Sequence, residues 1–398
     1  MRVLYIVTSF ARYEGDPHAS WIVTLIGHLR QRGIEVEVLA PSFRGLGDHQ
    51  VQGIPVHRFR YFPARWEALT HEDGAPKKVG RPLYAGMVAP YLVAGVWSAA
   101  KLASRNPYDL IHVHWPLPQA LLGLAARWTS GGQLVATFYG AELHLARRLP
   151  VLKPALRFLA RACDRTVAIS SFTARQVEEM TGVRPVVIPY GAALEPVGNA
   201  APFPERDAAQ GPRQILFAGR FIERKGLPVL LRAVAQVARE REVLLHLVGE
   251  GHERLALARL AAELGIADRV RFHGWVSRET LDHLYRTCDL FVLPSVVDPR
   301  GDTEGLGVVL IEALRYRKPA IGSNVGGIPD VIEDGLSGLL VPPGDPAALA
   351  QAIQHVLDDP ALARRLGEEG FRYVAEKFDW AHITDQVAGL YRSLLGKE

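Results

Sequence analysis

The stretch Asp302-Thr303-Glu304-Gly305-Leu306-Gly307-Val308-Val309-Leu310-Ile311-Glu312-Ala313-Leu314 places two carboxylates around a glycine-punctuated turn. The glycines let another group approach the backbone closely. Val308, Val309, Ile311 and Leu314 supply the apolar face of a helix that starts here. Such a start leaves N–H groups unpaired at the positive end of the helix dipole, which suits an anion and above all a phosphate. If Glu304 and Glu312 were both helical they would stand about 12 Å apart along the axis. Two carboxylates acting on one glycosidic bond need roughly 5 to 9.5 Å. The pair therefore suits the two ends of one elongated ligand, such as a nucleoside diphosphate sugar. A second loop, Gly219-Arg220-Phe221-Ile222-Glu223-Arg224-Lys225-Gly226, offers the Arg220 guanidinium and the Lys225 ammonium to bracket a diphosphate, by fork geometry and point charge.

Other candidates recur just past short apolar runs. In the first half these are Gly15-Asp16, His114-Trp115, Tyr139 with Glu142, and Tyr190. In the second they are Trp275-Val276 and Pro294-Ser295. Residues at the carboxyl ends of successive parallel strands converge on one ligand-binding edge. Asp16-Pro17 also reads as a helix start, with a capping side chain and a proline in the first turn.

The elements that position these groups alternate strand and helix twice over. Val3–Val7, Val36–Leu39, Leu110–Val113, Leu134–Thr137, Val167–Ile169 and Val186–Ile188 read as buried parallel strands. After an Ala- and Pro-rich linker at 192–212 the alternation restarts at Ile215–Ala218 and ends in helices near 345–358, 361–376 and 380–395. The fold class is α/β, with two Rossmann-like, doubly wound domains, 1–191 and 213–379. A chain of 398 residues is long enough for two cores.

Composition is that of an ordinary soluble protein, 48% hydrophobic and 22% charged. Cys163 and Cys288 stand far apart, which predicts a reducing, cytoplasmic compartment and no structural metal. The net charge of +4 is uneven: residues 1–195 carry 22 − 14 = +8 and the remainder 24 − 28 = −4. A basic first half points to an anionic partner, a membrane surface or a phosphorylated acceptor, and no nucleic-acid motif accompanies it. Residues 57–82 mix Arg58, Arg60, Arg65, Lys77, Lys78 and Arg81 with aromatic residues, and read as a mobile loop that is either solvated or touches acceptor or membrane. The uncharged Leu83–Ala100 run is just long enough to span a bilayer but is interrupted by Pro90 and diluted by small residues, so a buried or interfacial helix is expected.

Nearly the whole chain resembles the retaining glycosyltransferase family 4, of GT-B architecture. The resemblance is carried by the Glu304–Glu312 motif, Gly219-Arg220 with Lys225, Gly305-Leu306-Gly307, and Gly326-Gly327-Ile328-Pro329. It implies that the two domains face each other across a cleft and that the final helix, 380–398, joins the first domain. It implies that Glu312 holds the ribose and Glu304 the sugar hydroxyls, while Arg220, Lys225 and the Leu306 and Gly307 N–H groups hold the diphosphate. Gly219, Gly305, Val276 and Ser295 complete the donor side. Gly15, Asp16, His114 and Glu142 belong to the acceptor and phosphate side, beside Tyr139. The chain departs from the family's common residues at Tyr139 (His), Glu142 (Asp) and Tyr190 (Asn). The implied reaction moves a hexosyl unit from a nucleotide sugar to a glycan or lipid-linked acceptor, without cofactor or metal. Its setting would be the cytoplasm, with peripheral contact at the inner membrane face. A sugar-nucleotide epimerase, a phosphorylase-like enzyme or a non-catalytic nucleotide-sugar-binding subunit are the alternatives.

Overall fold

A computed structural model describes residues 1–16, 18–71, 78, 82–192 and 211–396. Most of the expected linker, together with Pro17, Lys77 and Arg81, lies outside the described residues. The chain forms two compact units, Met1–Tyr190 with Trp380–Glu398, and Gly191–Asp379.

The first unit is built on eight strands: β1 (Arg2–Ile6), β2 (Glu35–Pro41), β3 (His49–Val51), β4 (Ile54–Phe59), β5 (Leu110–His114), β6 (Gln133–Phe138), β7 (Arg165–Ala168) and β8 (Val186–Val187). Their order is β3-β4-β2-β1-β5-β6-β7-β8, parallel except for the β3–β4 pair. Val3, Leu4, Tyr5, Ile6 and Val7 are all fully buried, because helices cover both faces of the sheet. Ser20–Gln31 packs on one face with Ile22, Leu25, Ile26 and Leu29 inward. Val88–Arg105 and Pro116–Ser130 pack on the other.

The C-terminal helix, Trp380–Leu394, returns to the first unit through Trp380, Ile383, Val387 and Tyr391, all buried against the core that includes the Ser20–Gln31 helix. Tyr391 reaches furthest. Its hydroxyl lies 2.8 Å from that of Tyr5 and 2.5 Å from His112 Nδ1, and the other ring nitrogen of His112 is 2.7 Å from Thr137 Oγ1. Arg32 fastens the same helix from outside, donating to Asp385 at 2.6 Å and to the Ala381 carbonyl at 3.0 Å.

Two sequence expectations change here. Residues 57–59 are not loop but the end of β4, and Arg58 is buried, donating to the Pro41, Phe10 and Ala11 carbonyls. Arg60 is paired with Glu67, and the buried Lys78 donates to the Ala68 and His71 carbonyls. Backbone carbonyls and one carboxylate therefore absorb three of the cations expected to face acceptor or membrane. Asp16 does not cap a helix either. The helix begins at Ser20, with Ala19 at its N-terminus in a left-handed conformation and no side-chain cap.

The second unit holds β9 (Arg213–Ala218), β10 (Val243–Val248), β11 (Val270–Gly274), β12 (Leu290–Leu293), β13 (Ala320–Ser323) and β14 (Leu339–Val341). The sheet is parallel throughout, in the order β11-β10-β9-β12-β13-β14. β9 and β12 are central neighbours, so the loops that follow them are brought together.

Replacing Tyr391 by Ala should cost the first unit about 3–5 kcal/mol, the usual penalty for emptying a buried aromatic site. Tyr391→Phe, which leaves the buried partner His112 short of a hydrogen bond, should cost about 1–3 kcal/mol. Denaturant titration of the two variants against the parent checks both values.

Candidate active site

In the second unit, β9 delivers the loop Gly219–Gly226 and β12 delivers Pro294-Ser295. The turn Glu304–Gly307 leads into the helix Val308–Arg315. Lys225 Nζ donates to Glu304 Oε2 at 2.5 Å, and both side chains are buried. Arg224 Nη1 reaches the same oxygen at 3.1 Å, and Ser295 Oγ at 3.3 Å. Burial alone would push the Glu304 carboxyl up, but the Lys225 ammonium and then the Arg224 guanidinium hold it down at about 2. Burial pulls the Lys225 ammonium below its ordinary value, against the attraction of Glu304, and the charges of Arg224 and Arg220 pull the same way as burial. Arg220 itself is exposed.

Close backbone contact makes this cluster possible. Gly226 has φ +65°, and a Cβ there would collide with the Pro294 carbonyl oxygen. Gly326 has φ +61°, and a Cβ there would collide with the Glu304 carbonyl, which accepts from Gly327 N at 3.0 Å. These glycines serve the approach of one loop to another.

Glu304 lies before the helix and Glu312 within it, so the helical spacing computed for the pair does not apply. Glu312 is buried and its Oε2 accepts from the Tyr285 hydroxyl at 3.0 Å. Tyr285 comes from the helix Arg278–Thr287 and stacks on Tyr316 at 5.0 Å. Gly307, at φ +89°, is the residue before the first helical turn, and the Leu306 side chain is buried beside it. Val276 is half-buried beyond β11 and makes no described polar contact with the cluster. Arg224 and Tyr285 were missed by sequence reasoning. Arg224 was legible as a third cation in the same loop; Tyr285, 27 residues from Glu312, carried no local signal.

In the first unit, Gly15 is exposed at φ +82° with open space around it. Asp16 is buried and takes Arg12 N, Nε and Nη2 at 2.9, 2.6 and 3.1 Å, and His18 N at 3.1 Å. Against burial, Arg12 and these backbone donors hold its carboxyl at about 2. Asp16 thus shapes the Gly15 loop. His114 is buried at the end of β5, with Nδ1 2.7 Å from the Tyr139 hydroxyl. Burial keeps its ring neutral and raises the Tyr139 phenol well above its ordinary value, so neither is charged near neutral pH. Trp115 follows at φ +58°, a strained position for a bulky residue, and stacks on Tyr139 at 4.4 Å. Trp21 lies 5.1 Å from Tyr139 and 5.0 Å from Tyr190. These partly exposed rings present flat apolar faces of the kind that stack on a sugar ring.

Glu142 is buried next to that cluster. Its Oε1 accepts from Tyr139 N at 2.7 Å and Gly140 N at 3.4 Å, whereas Oε2 and His114 Nε2 are buried without a protein partner. Burial pushes the Glu142 carboxyl up to about 7. Near neutral pH it can therefore donate a hydrogen bond to a bound hydroxyl as well as accept one. Among the described residues, no group of three or more His, Cys, Asp or Glu is placed to hold a metal ion.

Two outcomes follow. Gly326→Ala should destabilise the second unit by about 2–4 kcal/mol, from left-handed strain plus the forced shift of the Glu304 backbone, as read by thermal or urea unfolding. The raised Glu142 pKa means the folded state holds a proton that the unfolded state has lost. Its contribution is therefore complete below about pH 4.3 and erodes as pH rises to 7, by on the order of 3 kcal/mol. Unfolding measured across that range should show the fall in the parent chain and a flatter profile in Glu142→Gln.

Comparison with known proteins agrees with this architecture. Residues 19–195 match the family described as Glycosyltransferase Family 4, and residues 202–373 match Glycosyl transferases group 1. A D-inositol 3-phosphate glycosyltransferase of Streptomyces avermitilis is 34% identical over 413 residues, covering 94% of this chain and 82% of its own. A GDP-mannose-dependent alpha-(1-6)-phosphatidylinositol monomannoside mannosyltransferase of Mycolicibacterium smegmatis is 29% identical over 304 residues, covering 73% and 78%. Among solved structures, sucrose-phosphate synthase from Thermosynechococcus elongatus superimposes with a TM-score of 0.78 at 24% identity, covering 100% of both chains. Its likeness carries the GT-B fold. With the two Rossmann-like units and the matches along its length, the chain belongs to glycosyltransferase family 4 and is a hexosyltransferase of GT-B fold.

Proposed function

We propose that the chain transfers a hexosyl unit from a nucleoside diphosphate sugar, UDP- or GDP-linked, to a hydroxyl of a lipid-linked or glycan acceptor, with retention at the anomeric carbon and without metal. The observation that carries this reading is the buried Lys225–Glu304 cluster, with Arg224 and Ser295, set beside the Gly305–Gly307 turn. It joins fixed positive charge for a diphosphate to a carboxylate kept ionised for sugar hydroxyls. The GDP-mannose dependence of the Mycolicibacterium relative supports a nucleotide-sugar donor, and its phosphatidylinositol-based name supports a lipid-linked acceptor.

In this mechanism the acceptor oxygen bonds to the anomeric carbon on the face that the diphosphate leaves. The electron pair of the breaking C–O bond passes to the diphosphate, and the acceptor proton passes to the departing phosphate oxygen. No carboxylate base is needed. Lys225, Arg220 and the N–H groups of Leu306 and Gly307 stabilise the charge that develops on the leaving group. Glu304 holds the transferred sugar and Glu312, steadied by Tyr285, the ribose. His114, Tyr139 and Glu142 act as uncharged or exchangeable hydrogen-bonding groups toward the acceptor, since the phenol is no base near neutral pH. The setting is cytoplasmic, in keeping with the free thiols Cys163 and Cys288.

Thermal-shift titration with UDP-, GDP- and ADP-sugars should raise the melting temperature for one base above the others. Lys225→Ala should lower transfer by at least about a hundredfold, the usual effect of deleting one preorganised electrostatic group. Because that change strips the buried Glu304 of its nearest cation and leaves it only Arg224 and Ser295, Lys225→Met with Glu304→Gln, which removes both charges of the pair and leaves Arg224 to Asp302, supplies a control that keeps its melting temperature while transfer stays lost. Transfer near the parent rate in either variant would remove Lys225 from the mechanism.

A further inference from the structure

Four aromatic side chains meet at the strand ends of the first unit, each from a separate stretch of sequence. Trp21 sits in the first turn of the Ser20–Gln31 helix, Trp115 follows β5, Tyr139 follows β6 and Tyr190 follows β8. All four are half-buried, so each ring keeps part of its surface open. Trp21 is their common neighbour, with its ring centre 6.1 Å from Trp115, 5.1 Å from Tyr139 and 5.0 Å from Tyr190. Trp115 holds its place at φ +58°, a costly conformation for a bulky side chain and one that tends to mark functional sites.

Two buried polar atoms without a protein partner adjoin these rings. The His114 ring, 1% exposed, lies 6.0 Å from the centres of both Trp21 and Tyr139. Its Nδ1 meets the Tyr139 hydroxyl, while its Nε2 is unfilled. Glu142, 3% exposed, gives Oε1 to the Tyr139 and Gly140 N–H groups, and its Oε2 is unfilled as well. Buried polar atoms cost free energy until something hydrogen-bonds them. Two of them beside one patch of open aromatic surface mark a place for a ligand.

Three features narrow that ligand's chemistry. A hydrocarbon would cover the rings but leave His114 Nε2 and Glu142 Oε2 unfilled. A flat nucleobase is best held between parallel faces, yet Trp115 and Tyr139, the most nearly parallel of the four at 27°, already touch each other at 4.4 Å. Trp21 is inclined at 49° to Tyr139 and 36° to Tyr190. A phosphorylated or carboxylated ligand would bring its charge against Glu142, and none of these six residues carries a fixed positive charge. Burial keeps His114 neutral and pushes Glu142 up to about 7, so both hydrogen-bond without opposing a neutral ligand. A pyranose ring meets all three conditions. Its C–H bonds lie against inclined aromatic faces, its hydroxyls both donate and accept, and it carries no charge.

We propose that the four rings and the two unfilled atoms form the subsite for an uncharged pyranose at the acceptor end of the reaction, so that the sugar receiving the hexosyl unit is neither phosphorylated nor acidic. The inference rests on the transfer reading above and names the class of its acceptor. Trp21, Trp115 and Tyr190 grip the sugar by its apolar face, while His114 Nε2 and Glu142 Oε2 take its hydroxyl edge.

The test is saturation-transfer NMR of the full chain with the methyl glycosides of glucose, galactose, mannose and N-acetylglucosamine, set against glucose 6-phosphate and glucuronic acid. At least one methyl glycoside should receive magnetisation, and the two anions far less. Trp21→Leu with Tyr190→Leu keeps apolar bulk but removes the flat faces, and should weaken that binding about tenfold. Trp21→Phe should keep most of it. Both positions pack partly on the core, so melting temperatures are read alongside, and Trp21→Phe separates loss of a ring face from loss of the fold. In turnover the double variant should raise the acceptor KM and leave the donor KM at the parent value. Preference for the anions over all four neutral probes overturns the inference, as does absence of signal from the neutral probes or neutral binding that the double variant retains in full. A rise in donor KM alone would put the donor sugar on these rings and overturn it too. None of these results touches the donor reading, which stands or falls on the nucleotide-sugar melting shift and on Lys225→Ala.

Discussion

The buried ion pair between Lys225 and Glu304 is the constraint around which the loops at one edge of the second unit's sheet are organised. Taking two charges out of water costs several kcal/mol apiece, and attraction between them offsets this only when the geometry is good and the remaining hydrogen-bonding capacity is filled. Arg224 and Ser295 fill it on the side of Glu304. The arrangement demands that three loops meet within hydrogen-bonding range, and they do so because β9 and β12 are adjacent and glycines stand where backbones touch. Glu304 is thereby ionised and fixed before any ligand arrives, and that preorganisation is what makes an electrostatic site effective. Breaking the pair would expose a buried charge rather than simply delete an attraction.

The first unit keeps its polar groups by a different means. His112, Tyr5, Tyr391 and Thr137 form an uncharged hydrogen-bonded chain through the core, which ties the last helix of the sequence to the first strand. At the strand ends, burial depresses His114 and raises Tyr139 and Glu142, so that side consists of groups able to exchange hydrogen bonds without carrying fixed charge. Fixed charge is thus concentrated at the second unit's cluster, and neutral, aromatic surroundings at the strand ends of the first, which is the division that the proposed donor and acceptor chemistry calls for.

The two faces of the first unit's sheet also divide the labour. One is covered by the first and last helices of the chain, with Arg32 and Asp385 closing the seam. The other carries three helices whose outer residues are apolar and basic. Conventional packing accounts for the inward residues of that layer and gives no reason for Trp97, Trp128 or Phe158 to stand in solvent.

Much of this was legible in the chain itself. Parallel strands buried on both faces must read as unbroken apolar runs, so Val3–Val7 and its successors announced a doubly wound sheet, and the glycine-bounded loop of Lys225 and the glycine-punctuated stretch of Glu304 marked two of the segments that the second sheet brings together. Local pattern stopped there. The basic residues at 58, 60 and 78 looked like a charged surface, yet Arg58 and Lys78 are consumed by backbone carbonyls and Arg60 by Glu67, partners that no spacing reveals. Asp16 looked like a cap because capping and loop-closing aspartates share the same neighbours; its Arg12 contacts decided between them. Tyr285 on Glu312 and Tyr391 on His112 are pairings across 27 and 279 residues, set only when the strands find their order. Type, periodicity and turn chemistry are local and were written in the sequence. Which charges are neutralised, which aromatics are left outside and which hydrogen bonds are buried depend on contacts distant along the chain, and only the tertiary structure decided those.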